Sequence, residues 1–336
     1  MKIKEFKNIN LEIPSQSEGS ELISTDYFNS FFPYITSIDM EIRMGRSLAG
    51  LTFQEKKSAY ISFIQNEVLN FTEEEVQKIE SSFADIDKML IKLDIRMNPK
   101  NICVIKTTGK EEGTKGYTRN NCIIVTNKKF EEANKKGIFE LKQFLTHELF
   151  HVFSRYNPKI RFQLYRLIGF ENNEKINIKS EQNESRVTNP DAANFRFSID
   201  WQDVNGNVVS YVPFVFSKHK MFDPALNLGM FDYIETGYCQ LDKDNCIDIA
   251  KAIKVLSIKG HYGTITGKER ETPDNYLHPL YDIISSNTGY IMHPEEISAD
   301  NFSLLLLSAE NPRLLDGISP LGKSLQTNFL KTIIHE

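Results

Sequence analysis

Between Gly137 and Tyr156 apolar residues fall at Leu141, Phe144, Leu145, Leu149 and Val152, three and four apart. That period predicts a helix with one buried stripe. Val76, Ile79, Phe83, Ile86, Leu90 and Leu93 repeat it upstream. Thr52 with Glu55, and Thr72 with Glu75, have the spacing of a capping box, in which each end satisfies a free helix N–H group. Residues 24–93 therefore predict a helical lobe whose simplest role is packing. Nothing in its sequence suggests a grip on a substrate. Residues 1–20, polar and rich in Ser and Glu around Ser15–Ser20, predict a loose arm.

After Asn98-Pro99 the texture changes. Ile102–Thr107 and Tyr117–Thr126 are β-branched and predict two strands, separated by a charged loop over Gly109–Gly116. They suggest a sheet packed on the helix of residues 137–156. Thr118–Asn121 is the expected sheet edge, where unpaired main-chain groups can take an extended peptide. Pro158 ends the helix. Leu164–Phe170 predicts a short helix or turn, Glu171–Arg186 a polar irregular stretch and Asn189-Pro190-Asp191 a turn. Phe195–Trp201 alternates and Val208–Phe216 is β-prone, with Asn205-Gly206 favouring a hairpin between them. Leu228–Leu241 predicts a strand and Ile247–Leu256 a helix. Pro294 suits the first turn of a later helix that buries Ile297, Leu304 and Leu305. The fold class is α+β. An N-terminal helical lobe spans residues 1–97, and a second domain spans residues 98–336 with a β-rich insertion at about 171–285.

Composition narrows the partners. The 336 residues are 40% hydrophobic and 25% charged, with a net charge of -5. No basic stripe with interleaved aromatics stands out, so nucleic acid is not an expected partner. The longest apolar run, Leu304–Leu307, is too short for a bilayer, and no membrane partner is expected. The N-terminus has no apolar core of a secretory signal, which predicts a cytoplasmic protein or one exported without a conventional signal peptide. Cys103, Cys122, Cys239 and Cys246 include no C-x-x-C pair. Cys239 and Cys246 are close enough in sequence for a zinc site or a disulfide, but free thiols in a reducing compartment are the simpler reading.

The chemistry lies in His147-Glu148-Leu149-Phe150-His151. On a helix the two imidazoles share a face one turn apart and can bind one metal ion. Glu148 can reach a water on that ion. The bland alternative is a helix with two exposed histidines and a surface glutamate. Downstream, Glu296 and Asp300 share a helix face. Glu296 can supply a third ligand oxygen and Asp300 can orient a ligating histidine through its other ring nitrogen. Acids at a helix start are also common for electrostatic reasons alone. Glu295 competes with Glu296 as ligand, but Ala299 four residues on offers no matching support.

His147-Glu148-x-x-His151 followed by Glu296-x-x-x-Asp300 resembles the gluzincin zinc metallopeptidases, the broad thermolysin-like group. The resemblance covers about residues 98–156 and 288–310. It implies a zincin-like catalytic core: a small sheet on the first motif helix, and a later helix that bears the glutamate. It also implies zinc bound by His147, His151 and Glu296, Glu148 as general base, Asp300 supporting a histidine, and a peptide or protein substrate. The chain departs from thermolysin in two ways. A gap of 145 residues separates His151 from Glu296, and no tyrosine follows Asp300. The donor to the oxyanion must then lie upstream. Tyr290 is the first choice, since some toxin-type gluzincins carry a tyrosine shortly before the ligand glutamate. Tyr281, Tyr262, His278, His261 and His293 compete with it. The expected activity is zinc-dependent peptide-bond hydrolysis. The alternatives are an inactive zinc-binding homologue acting as an interaction module, and a structural protein with a chance motif.

Overall fold

A computed structural model describes residues 1–202, 206–254, 278–285 and 287–335. Within them the chain is a mixed α+β structure. It opens with β1 (Lys2–Glu5) and β2 (Asn10–Ile13), then helices α1 (Gln16–Ile23), α2 (Ser37–Met44) and α3 (Phe53–Asn66), a short strand β3 (Val68–Leu69) and helix α4 (Glu73–Lys92). Thr52 and Thr72 cap α3 and α4 through the two expected capping boxes. The first residues are not a loose arm. Ile9 and Leu11 are fully buried and Ile13 nearly so, so alternate side chains of β2 face the core. Ser15 and Glu18 cap α1 reciprocally. The alternation is only a few residues long, and the strand that justifies it lies far along the chain.

That strand is β4 (Asn101–Thr107), parallel to β2. The predicted strand over Tyr117–Thr126 is instead a hairpin, β5 (Tyr117–Arg119) and β6 (Cys122–Thr126). The chain reverses at Asn120, whose φ of 53 is left-handed and tolerated by asparagine. The sheet runs β1-β2-β4-β6-β5, with β3 also pairing β4. Ile102, Val104, Ile123 and Val125 face one core, and Cys103, Ile105, Cys122 and Ile124 face another. The second core is filled by Ile23, Phe31, Tyr60 and Ile64 from the helical lobe.

The first core holds the site. Helix α5 (Asn127–Lys136) leads to α6 (Ile138–Tyr156), whose predicted stripe is buried there along with Val76, Ile79 and Phe83 of α4. Pro158 ends α6 as expected but immediately starts α7 (Pro158–Leu167) from its first position, where proline costs no hydrogen bond. A second, antiparallel sheet follows, from β7 (Phe170–Asn172), β8 (Phe197–Gln202) and β9 (Val208–Ser217) to β10 (Ile234–Leu241) and β11 (Ile247–Lys254). Short helices α8 (Ser180–Asn183) and α9 (Met230–Tyr233) interrupt it. The expected helix from Ile247 is thus a strand through Lys254. Its apolar spacing was ambiguous, and pairing with β10 decides it. The Asn205-Gly206 hairpin turn lies partly outside the described residues, as do residues 255–256. All four cysteines are unbridged.

The chain closes with α10 (His278–Ile284), α11 (Pro294–Glu310) and α12 (Pro320–Ile334). Helix α11 is buried all round and packs along α6. Phe302 of α11 stacks on Phe153 at 6.0 Å and lies against Phe150 at 5.5 Å. The Tyr238 hydroxyl of β10 donates to the Ile291 carbonyl at 2.5 Å, pinning the segment before α11 to the second sheet. No described helix is long and apolar enough to cross a membrane. Phe302→Ala should cost about 3–5 kcal/mol by leaving a cavity between α6 and α11. Denaturant unfolding would read this, and a loss under about 1 kcal/mol would show that the contact tolerates collapse.

Candidate metal centre

Helix α6 presents His147 and His151 on one face, their ring centroids 4.8 Å apart. The first turn of α11 faces them. Pro294 takes the first helical position, and His293 caps the helix by accepting the Glu295 N–H at 3.1 Å. That geometry aims Glu296 at both histidines. Its Oε2 lies 3.2 Å from His147 Nε2 and 3.6 Å from His151 Nε2. One ligand atom from each of the three residues falls within 4.8 Å of the others. This set, two imidazoles and a carboxylate, could hold a divalent metal ion.

Each imidazole is oriented from behind by its own carboxylate. His147 Nδ1 is 2.8 Å from Asp300 Oδ1, and His151 Nδ1 is 3.0 Å from Glu295 Oε1. Both Nε2 atoms are thereby turned to the centre. Thr288 donates in turn to Asp300, and Ser154 and Tyr165 to Glu295. Glu295, weighed in the sequence only as a rival ligand, is the partner of His151. The i, i+4 spacing that pointed to Asp300 could not reveal it, because Glu295 reaches the second histidine rather than the first.

Glu148 is buried beside the pair, and its Oε2 finds no hydrogen-bond partner among the described residues. Burial, with Asp191 adding to it, raises its pKa to about 8. Tyr290 stands at the rim, 40% exposed, its ring stacked on His147 at 6.2 Å. The Glu296 charge pushes its phenol well up, so it keeps the proton it would donate. His293 is a buried cap, held also by the Asn194 carbonyl at 3.1 Å, and burial drops its pKa to about 4. Tyr281 packs against the main core. His278 opens α10, with its side chain outside the description, and His261 and Tyr262 lie outside the described residues.

The expected open edge at Thr118–Asn121 is corrected. Strand β5 does end the sheet, but Thr118, Arg119 and Asn120 are buried. Asp191 Oδ1 accepts the Thr118 N–H at 2.7 Å, and Arg155 donates to the Asn120 carbonyl at 2.7 Å. The same turn brings Asn189, whose amide donates to Glu296 Oε1 at 2.7 Å. The sequence showed Asn189-Pro190-Asp191 as a turn and gave no sign of what it would face.

No protein-family model, curated protein or solved structure matches this chain.

Burial opposes charge on His147, but Asp300 and Glu296 outweigh it and raise its pKa to about 10. Burial likewise opposes charge on His151, and Asp191 and Glu296 overcome it. The metal-free site therefore carries imidazole protons at pH 7, which a ligating nitrogen must lose. Divalent-ion binding should release protons and tighten as pH rises from 7 toward 10. Calorimetry in buffers of different ionisation enthalpy would read the release, and a buffer-independent enthalpy would contradict it. Asp300→Ala and Glu295→Ala should each weaken metal binding roughly 10–100-fold. Chelator competition would check this, and unchanged affinity would remove the orienting role.

Proposed function

We propose that this chain is a zinc-dependent peptidase of the gluzincin kind. The observation that carries the reading is the convergence of His147, His151 and Glu296, each histidine backed by its own carboxylate. The buried, unpartnered Glu148 oxygen beside them supports it. Such a group is costly unless something in the site uses it. The mixed sheet also fits the zincin-like core, with the antiparallel strand β5 at its edge, helix α6 against it and α11 supplying the glutamate.

Zinc, when bound, would supply Lewis acidity and a water acidic enough to ionise near neutral pH. The remaining work falls to the chain. Glu148 is placed to accept the proton of the attacking water and to deliver it to the leaving amine. Tyr290, held by the Tyr290 N–H to Thr288 Oγ1 bond at 2.8 Å, presents a protonated phenol to the oxyanion of the tetrahedral intermediate. Asp300 and Glu295 keep the two imidazoles in register. The substrate class is peptide or protein. A second reading, an inactive zinc-binding module, draws on the Asn189–Asp191 turn that stands in front of the site.

Zinc content by mass spectrometry separates these. The full chain should carry close to one zinc, Glu296→Ala should lose it, and Glu148→Gln should keep it while hydrolysis of a peptide library falls roughly 100-fold or more. A folded chain that takes up no added zinc would end the peptidase reading. Zinc without turnover would favour the inactive module.

A further inference from the structure

His151 belongs to two metal-competent sets. One is His147, His151 and Glu296; the other is Glu148, His151 and Asp191, whose ligand atoms also lie within 4.8 Å of one another. His151 Nδ1 is committed to Glu295. Both sets must therefore meet at the same nitrogen, Nε2. The two sets share His151, so Asp191 and Glu148 lie beside the His147, His151 and Glu296 cluster.

Asp191 is held there by a built turn. Asn189 Oδ1 accepts the Asp191 N–H at 3.0 Å, closing an Asx-turn around Pro190. The other end of the Asn189 amide donates to Glu296. Asp191 Oδ1 takes the Thr118 N–H at 2.7 Å, and Thr118 Oγ1 donates to the same oxygen. Arg155 Nη2 stands 3.9 Å away. The turn is anchored to the helical lobe through Thr188. Its N–H donates to Asp39 at 3.0 Å, and its carbonyl accepts from Arg43 at 2.5 Å. Glu148 and Glu296 are buried and the Asp191 side chain is almost covered, so three carboxylates lie near one another in the site.

We propose that Asp191 is a fourth protein ligand of this metal and that the Thr188–Ala192 turn is a latch over the site. This deepens the zinc reading and rests on it. A zinc with three protein ligands keeps a place for water and substrate, whereas four protein ligands close the shell. With Asp191 in that place, Glu148 has no water to deprotonate and the Thr118 edge cannot pair with a peptide. Substrate access requires the turn to withdraw from Glu296 and Thr118. Only a few hydrogen bonds hold it there, while its root stays fixed on α2.

The test uses the full chain loaded with cobalt, whose visible spectrum reports its ligands, and acetohydroxamate as the probe. Asp191→Asn keeps an oxygen for the Thr118 N–H and guards against misfolding; Asp191→Ala removes the ligand outright. Both variants should bind acetohydroxamate at least about tenfold more tightly than the wild type, and should lose cobalt to a chelator at least about tenfold faster. Equal acetohydroxamate affinity, or equal cobalt loss, in wild type and Asp191→Asn would overturn the latch while leaving the zinc reading intact. Failure of the folded wild type and both variants to take up cobalt would instead overturn the zinc reading and the latch with it.

Discussion

The site depends on the register between α6 and α11. Two histidines on one helix make a metal site only if the third ligand arrives within a few ångströms. Glu296, the carboxylate that meets them, lies 145 residues beyond His151. The register is set by packing. Phe150 and Phe153 of α6 interleave with Phe302 of α11 two turns below Glu296. Close-packed aromatics do not slide by a residue without opening a void. With the helices so locked, Glu295, Glu296 and Asp300 present their carboxylates to His147 and His151 together. Two rigid helices give such a constellation more exact placement than loops could.

Charge placement follows from that register. The centre gathers Glu148, Glu295, Glu296, Asp300 and Asp191 around two imidazoles. Burial alone would discharge all of them. Proximity sorts them instead. The histidines hold the Glu296 carboxyl well below its usual range, against burial. Glu148, with no hydrogen bond to its Oε2, is pushed up. Two neighbouring carboxylates thus diverge in basicity, one suited to bind a cation and the other to take a proton. That division comes from which of them reaches the imidazole nitrogens, not from residue type.

The helical lobe has a part in this beyond packing. Arg43 of α2 is buried among Asp39, Glu112 and the Thr188 carbonyl. Glu112 comes from the charged loop between β4 and β5, a segment that turns its acids inward. A buried ion cluster of this kind contributes little net stability but is costly to break on one side, so it fixes geometry. Here it fixes where the Asn189–Asp191 turn leaves the protein body. The lobe and the site are therefore linked through Arg43 and Asp39, both of which hold Thr188.

Much of the site was legible in the sequence because the motif is local. His147, Glu148 and His151 need only a helix to converge, and the three-four apolar spacing supplied one. Glu296 and Asp300 shared a face by the same rule, and Pro294 located their helix start. Thr52 and Thr72 announced their helices through chemistry confined to one turn. Other features rested on contacts no local pattern encodes. The short alternation at Ile9–Ile13 became a strand only because β4 lay beside it. Ile247–Lys254 became a strand because β10 offered an antiparallel edge. Glu295 was visible as an acid, but its partner was set by the crossing of two helices. Asp191 looked like the end of a turn until Thr118, Arg155 and His151 surrounded it. Sequence by itself determined which side chains could do chemistry along a helix, since helical periodicity is a short-range property of the backbone. Tertiary structure alone decided which carboxylate backs which histidine and what stands before the pair, since those depend on packing between segments far apart in the chain.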